Sequence, residues 1–180
     1  MKLFAAISAV AAIVTAAETT LPVTNDVGLI YTNLLCGTNP CSQSNLSGLS
    51  TYTAYLGNRD FRRILMSFSL GEIDPSSITS CQLQLPQPVP APNNVASTYT
   101  LSVSPVTGEY DAKTVTPVTA PPTGSAIARA ANSDQEIPGP IDVTSACQNA
   151  LNGNVGLALD SSGSPVTFSA GTATLIVSTN

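Results

Sequence analysis

The chain has 180 residues, of which 9% are charged, and eleven acidic residues against six basic ones give a net charge of −5. This acidic balance argues against nucleic acid as a partner. Hydrophobic residues make up 43% of the chain, which excludes an intrinsically disordered protein and suits one domain with its own core.

The first 17 residues have the features of a secretory signal peptide. A positive start at Lys2, an apolar run over 3–14 and small residues at 15–17 are the parts that signal peptidase recognises. The apolar run is too short to cross a bilayer. We therefore expect a secreted, extracellular protein with no membrane partner and a single mature domain at 18–180.

The next polar stretch contains the single N-glycosylation sequon of the sequence, Asn45-Leu46-Ser47. Such a sequon is read only in a secretory compartment and only on an accessible segment. Asn45 is therefore predicted to be glycosylated on a surface loop.

Four cysteines in a secreted chain predict two disulfides, with three connectivities open. Cys36 and Cys41 enclose a Gly-Thr-Asn-Pro turn that suits a local bridge, which would leave Cys81 for Cys147. A zinc site is the alternative, but the chain has no His and no CxxC pair. A structural Ca²⁺ is another alternative, although no loop concentrates three acidic residues. We therefore predict no metal site and no cofactor.

Alternation of apolar and polar residues predicts a series of strands in the first half of the chain. The strand at 61–70 is the clearest, because Ile64, Met66 and Phe68 fall on one face. The period slips near Ser80, which indicates a β-bulge. The predicted strands lie at 27–35, 51–56, 61–70, 77–85 and 98–106.

Proline-rich stretches at 86–92 and 117–140 interrupt the series and are predicted to be exposed connections or covering loops, with one short strand at 126–129. Three further strands are predicted at 156–160, 166–169 and 172–178.

A single helix of nine or ten residues is predicted between these regions. Asp142 or Thr144 can cap its start, and Gly153 suits a left-handed stop. Its inward positions would be Val143, Cys147, Ala150 and Leu151. All these elements together predict an all-β fold, an antiparallel jelly-roll-like β-sandwich with one short helix.

Several segments occur in an order and spacing that resemble a known family. They read RRILMSFSL at 62–70, ITSCQLQL at 78–85, EYDAKTVT at 109–116, DVTS at 142–145, LNGN at 151–154 and GLAL at 156–159. The order is similar to that of the DNRLRE domain, which is also classified as carbohydrate-binding module family 96.

The resemblance covers roughly 24–179 and implies a jelly-roll-like β-sandwich, an extracellular location and a polysaccharide ligand, with acidic alginate-type glycans as the suggested case. Departures are Tyr110 and Ala150, where the family often has Trp, Ser69 in place of a frequent Asp, and Cys81 and Cys147 in place of small or aliphatic residues. A bridge between these two cysteines would compensate for lost packing.

The arginines at 59–63 are the first candidate binding residues. Arg59, Arg62 and Arg63 are three of the five cationic residues of the predicted mature chain. Guanidinium groups pair bidentately with the carboxylates or sulfates of an acidic polysaccharide. Alternation places Arg63 opposite Ile64, so we expect it to point outward. In the alternative, one arginine is an ion-pair partner of Asp60 and the others serve solubility.

Tyrosines are the second candidates. Tyr55 and Tyr110 could stack on the apolar faces of sugar rings. The alternative is that they pack in the core, as strand tyrosines often do. The chain has no Trp, which argues against a flat platform for crystalline polysaccharide.

Catalysis is not predicted, because the chain has no His, no GxSxG elbow and no Gly-rich phosphate loop. Two acidic pairs, Glu72 with Asp74 and Glu109 with Asp111, lie at turns and are predicted to be solvated at the surface or to cap those turns. The predicted function is a secreted, monomeric, non-catalytic module that binds a polysaccharide or cell-wall glycan. The alternative is a secreted structural or cell-surface interaction protein that keeps the fold without a glycan site.

Overall fold

A computed structural model of the protein describes residues 17–32, 51–56, 60–89 and 97–180. Several predictions lie outside these residues: the signal sequence up to position 16, the Cys36–Cys41 bridge, the sequon at Asn45 and the position of Arg59. In chain order the described elements are β1 (Ala17–Thr32), β2 (Thr51–Leu56), β3 (Asp60–Ser69), a 3-10 turn (Pro75–Ser77), β4 (Ile78–Gln84), β5 (Thr98–Pro105), β6 (Ala128–Ser133), β7 (Ile141–Asp142), α1 (Thr144–Gln148), β8 (Asn154–Gly163), β9 (Val166–Ser169) and β10 (Thr174–Thr179).

The described strands form one continuous sheet that folds over itself. Its order is β6-β5-β8-β3-β1-β10-β4-β7, and β2 pairs with β3 and with β9. Every pairing is antiparallel. The predicted all-β, sandwich-like fold class is confirmed. No helix in the described part of the chain is long and apolar enough to cross a membrane.

The long strand β1 joins the two layers. Residues 17–22 pair with β10, and residues 23–32 pair with β3, with a bulge at Thr24 where the register shifts. The prediction began this strand only at Val27, which is wrong by ten residues. The first half is rich in Thr, carries Pro22 and is largely exposed, so it lacks the apolar alternation that marks a strand.

The main hydrophobic core lies between the two layers. As predicted, Ile64, Met66 and Phe68 of β3 point into it, and all three are almost fully buried. They meet Leu157 of β8 and Leu175 of β10 within one cluster. We call this cluster the inner core. It follows from the period-2 alternation of the strands that face it.

A second, smaller cluster covers the opposite face of β3, and we call it the outer core. Leu65 is fully buried there together with Val27, Leu29 and Ala158. Irregular chain lies over them and contributes Val106, Tyr110, Ala112, Val115 and Ala120. The expectation that this face of β3 points to solvent is therefore wrong, because the segment 106–123 covers it.

The helix is shorter than predicted. It spans five residues, and Leu151 is 45% exposed instead of facing inward. The chain leaves the helix early because a tight turn at 151–154 leads directly into β8. Gly153 does adopt a positive φ, of 73°, as predicted. The bulge predicted near Ser80 is also present, since the β4–β10 register shifts between Ile78 and Ser80.

A disulfide fastens the helix to the sheet. Cys81 of β4 and Cys147 of α1 are bonded, with 6.4 Å between their Cα atoms, and both are fully buried in the inner core. The hydroxyl of Thr144 also accepts a hydrogen bond of 2.9 Å from the backbone N–H of Cys81. Asp142 in turn accepts bonds from the backbone N–H and the hydroxyl of Thr144, the first helical residue. The N-cap is Val143, which makes no side-chain capping bond, so the prediction of Asp142 or Thr144 at that position is wrong. A buried disulfide is compatible with an oxidising, extracellular environment.

Candidate functional site

A cleft of about 260 Å³ opens beside the bulge in β1. Bulges commonly re-aim side chains at the edge of functional sites. Here the bulge at Thr24 places Thr24 and Asn25 on the cleft wall, next to Ser67 of β3. We call this the polar cleft. Its described lining residues are Thr24, Asn25, Ser67, Val106, Gly108, Glu109, Tyr110, Leu151, Asn154 and Gly156.

Tyr110 is held in the polar cleft by two reciprocal hydrogen bonds with Asn25. The Tyr110 hydroxyl donates to the backbone oxygen of Asn25 at 3.2 Å, and Nδ2 of Asn25 donates to the backbone oxygen of Tyr110 at 3.1 Å. The ring is half-buried and packs against the outer core. The packing alternative therefore describes Tyr110, whose side chain also lines the cleft, and stacking on a sugar ring stays a prediction.

A two-residue turn forms the opposite wall. Leu151 and Asn154 exchange backbone hydrogen bonds of 3.0 and 2.8 Å, with Asn152 at φ 51° and Gly153 at φ 73° between them. Two successive positive φ angles are the type I′ geometry that an Asn-Gly pair favours. Nδ2 of Asn152 donates to Oε1 of Glu109 at 3.0 Å. This bond ties the two walls of the cleft together.

A second cleft of about 350 Å³ adjoins the first. We call it the apolar cleft, because most of its walls are aliphatic. The two clefts have four residues in common: Val106, Leu151, Asn154 and Gly156. The other described lining residues are Pro105, Thr107, Ile127, Ser145, Ala146, Asn149 and Ala150.

Gly156 allows the floor of both clefts to form. The backbone N–H of Val106 donates to the Gly156 oxygen at 2.9 Å, and a Cβ on Gly156 would lie 2.9 Å from Cβ of Val106. Any larger residue would push the segment at 106 away from β8. Gly156, the first residue of the GLAL segment, therefore lets the backbone of β8 lie close to Val106.

The described walls of the paired clefts carry little charge. Glu109 is the one charged side chain among the described residues that line them. The remaining polar groups are hydroxyls and amides, which hydrogen-bond without a net charge. The clefts can therefore bind neutral polar groups and are unsuited to anions.

Arg63 forms an ion pair at the edge of the outer core. Its Nε and NH2 atoms each lie 2.8 Å from a carboxylate oxygen of Asp160, and NH1 lies 3.5 Å from Oγ1 of Thr123. The side chains of Arg63 and Asp160 are only 21% and 11% exposed. The prediction that Arg63 points outward is therefore wrong. Arg63 is therefore an ion-pair partner, as in the alternative interpretation, but its partner is Asp160 and not Asp60.

The other predicted arginine of the described chain, Arg62, is half-buried. Neighbouring residues of a strand point to opposite faces, so Arg62 and Arg63 do not share a surface. Tyr55 of β2 pairs with Arg62 in the backbone ladder. The structure thus brings Arg62 and Tyr55 together, and it separates Arg63 from them.

In each acidic pair the second residue caps its turn, whereas Glu72 is exposed and Glu109 accepts a bond from Asn152 in the polar cleft. Asp74 accepts a 2.9 Å bond from the backbone N–H of Ser76, and this bond, with a further one from the Ser76 side chain, lowers the pKa of Asp74. Asp111 accepts from the backbone N–H of Lys113 and from the hydroxyl of Thr114. Among the residues that the structure describes, no three His, Cys, Asp or Glu side chains are grouped so that they could hold a metal ion.

A third, more open depression lies where β5 meets β6 and includes Tyr99 and Asn132. Burial, with the nearby charge of Asp134, raises the pKa of Tyr99 to about 12, so its phenol is neutral at physiological pH. Asp134 accepts bonds of 2.9 Å from the backbone N–H and the hydroxyl of Ser97, which lower its own pKa. Asp134 thus fastens the chain before β5 to the end of β6.

Comparison with known proteins finds no family model that matches this chain and no curated protein that is similar to it. The fold and the paired clefts define a sandwich-like all-β protein with a two-part surface site. Sequence reasoning missed Asn25 and Asn154 as parts of this site, and it missed Asp160 as the partner of Arg63. The Asn-Gly pair at 152–153 was the available signal, since it predicts a tight hairpin turn next to Asn154.

Proposed function

We propose that this protein is a secreted, non-catalytic carbohydrate-binding module of the DNRLRE type and that the paired clefts are its glycan site. The single observation that carries the proposal is the joining of a polar cleft, with one tyrosine and several amides and hydroxyls, to an apolar cleft. Sugars present hydroxyls on their edges and C–H groups on their faces, so such a site matches both.

The charge of the clefts favours a neutral glycan over an acidic one. Glu109 would repel the carboxylates of an alginate-type chain, and no described lining residue supplies a compensating Arg or Lys. Arg63, the residue best oriented for bidentate pairing, is paired with Asp160. This proposal therefore moves the site from the arginines at 59–63 to the walls around Tyr110.

Three further observations support the proposal. The predicted leader overlaps β1 only at Ala17, so cleavage after residue 17 would leave the rest of the described strands intact. The buried Cys81–Cys147 bridge would persist outside the cell. The segments that resemble the DNRLRE domain include Tyr110, Leu151 and Gly156, which all line the clefts.

The test uses the full chain, expressed with its own leader in a eukaryotic host and recovered from the medium. Binding is measured by calorimetry against neutral and acidic polysaccharides at low salt and at about 0.5 M salt, where charge-driven binding is screened. We expect binding to a neutral glycan that persists at the higher salt. Glu109→Gln should weaken it about tenfold, because hydrogen bonds to charged groups contribute more than neutral ones.

Glu72→Gln is the matched control, since Glu72 is exposed in the turn before Pro75–Ser77 and lines neither cleft. It should bind like the parent. Salt-sensitive binding to acidic glycans that depends on Arg62 would place the site at the arginines instead. Absence of binding to every glycan would contradict the proposal and favour the structural or cell-surface interaction protein.

A further inference from the structure

We propose that the glycan carries acetamido groups and that the apolar cleft holds the acetyl methyl. This inference rests on the proposed glycan function and specifies its substrate class. The observation behind it is that two clefts of opposite character share one wall, formed by Leu151 and Asn154.

The apolar cleft is the part that a plain sugar ring leaves unused. A hexose unit that carries only hydroxyls would satisfy the polar cleft, but it would place hydroxyls against aliphatic walls, where they would lose hydrogen bonds to water. An acetyl group is a small apolar extension that keeps a polysaccharide neutral. Its methyl gains free energy when it leaves water for such a wall.

The size of the apolar cleft follows from its small side chains. Ala146 and Ala150 contribute only methyl groups, whereas Leu151 beside them is 45% exposed. A hydrophobic side chain of this size, exposed at the rim of an apolar cleft, is covered when a ligand binds.

Amide side chains lie where the acetamide needs partners. Nδ2 of Asn149 donates to the backbone oxygen of Ser145 at 2.8 Å, which holds the Asn149 side chain at the rim of the apolar cleft. Nδ2 of Asn154 donates to the backbone oxygen of Asn152 at 3.3 Å, on the wall common to both clefts. Each amide has further donor and acceptor capacity for an acetamide N–H and C=O.

The experiment compares three oligosaccharides with the same β-1,4 linkage and length: N-acetylglucosamine, glucose and glucosamine oligomers. Affinity for each is measured by calorimetry with the secreted full-length protein. We expect the acetylated oligomer to bind about tenfold more tightly than the glucose oligomer, which is the usual effect of one small apolar group in a fitted pocket.

Ala150→Leu tests the position of the methyl, because the larger side chain would fill the apolar cleft. It should reduce binding of the acetylated oligomer to the level of the glucose oligomer. Ala131→Leu is the matched control, since Ala131 is exposed on β6 away from both clefts. Circular dichroism and thermal unfolding check that each variant folds.

The outcomes separate this inference from the proposed function. Equal binding of the glucose and acetylated oligomers would retain the glycan function and overturn the acetamido inference. Tightest binding of the cationic glucosamine oligomer would also overturn it, because attraction to Glu109 would then account for recognition. Binding of none of the three, together with none of the other polysaccharides, would overturn both.

Discussion

The inner and outer cores lie on the two faces of the same strand and are built differently. The inner core is enclosed by strands on both sides, with α1 fastened to it by the Cys81–Cys147 disulfide. The outer core is closed by an irregular segment, 106–123, and the ion pair of Arg63 with Asp160 lies at its edge. Regular layers give the inner core its rigidity, whereas the outer core depends on a few specific contacts.

This difference bears on where a ligand site can form. A sheet covered by another sheet leaves few openings, because its side chains interdigitate at high density. An irregular cover follows the sheet less closely, and both proposed glycan clefts lie along the start of that cover, at Val106 to Tyr110. The outer core therefore combines lower regularity with the candidate function.

Truncation of Phe68 should have the largest effect on stability. Phe68 is fully buried in the inner core, and Phe68→Ala should lower the free energy of unfolding by about 3–5 kcal/mol. Leu65→Ala in the outer core should cost about 2–3 kcal/mol, because the irregular cover can relax into the space. Urea unfolding with a common slope measures both.

Val118→Ala is the control for the covering segment, since Val118 is 71% exposed, and it should change stability by less than about 0.5 kcal/mol. An equal cost for Leu65→Ala and Phe68→Ala would contradict the contrast between the two cores. It would mean that the cover is as rigid as a strand layer.

The ion pair should give an intermediate effect. Arg63→Met leaves the mostly buried carboxylate of Asp160 without its guanidinium partner, which should cost about 1–3 kcal/mol. The double variant Arg63→Met with Asp160→Met should recover most of this loss, since no charge is then left buried. Thermal unfolding of Arg63→Met, Asp160→Met and the double variant completes a double-mutant cycle. Strictly additive effects would show that the pair is not coupled.

The smallest effect is expected for the pH dependence of stability that Asp142, just before α1, contributes. Bonds from the hydroxyl and then the backbone N–H of Thr144, at 2.6 and 2.9 Å, lower the pKa of Asp142. The folded pKa lies below the unfolded one, so this stabilisation is present above the unfolded pKa. It is lost as pH falls through the folded pKa.

Asp142→Asn should therefore flatten the fall of Tm with acidification below about pH 4. The change should be slight, because Asp142 is exposed. Thr144→Ser, which keeps the hydroxyl donor, should behave like the parent. If Tm falls with acidification in Asp142→Asn as it does in the parent, this carboxylate does not contribute to the pH dependence of stability.

Local patterns predicted the inner core well because each of its strands shows its period. Ile64, Met66 and Phe68 were assigned to the buried face, and the bulge near Ser80 was located from one slip in the alternation. The pairing of Cys81 with Cys147 was one of three open connectivities, and the structure contains it. The strand faces and the bulge are features that neighbouring residues determine, whereas the disulfide joins residues 66 positions apart.

The outer core and the clefts could not be predicted in the same way. Leu65 looked like an outward residue because its cover, 106–123, has no period that marks it as packed. The polar cleft combines residues 24–25, 108–110 and 151–156, which only the fold brings together. The division of Arg62 from Arg63 was predictable, since adjacent strand residues point to opposite faces.

The position of β1 between two partners has a consequence for the order of events during synthesis. Its first residues pair with the last strand, Ala17 opposite Thr179, so half of β1 has no partner until residues 174–179 have been made. Pairing over such a sequence distance is slow, and an open strand edge is prone to aggregate in the meantime. A nascent chain must therefore be protected until residues 174–179 emerge. A circular permutant in which a short linker joins β10 to β1 would make this contact local and should fold faster.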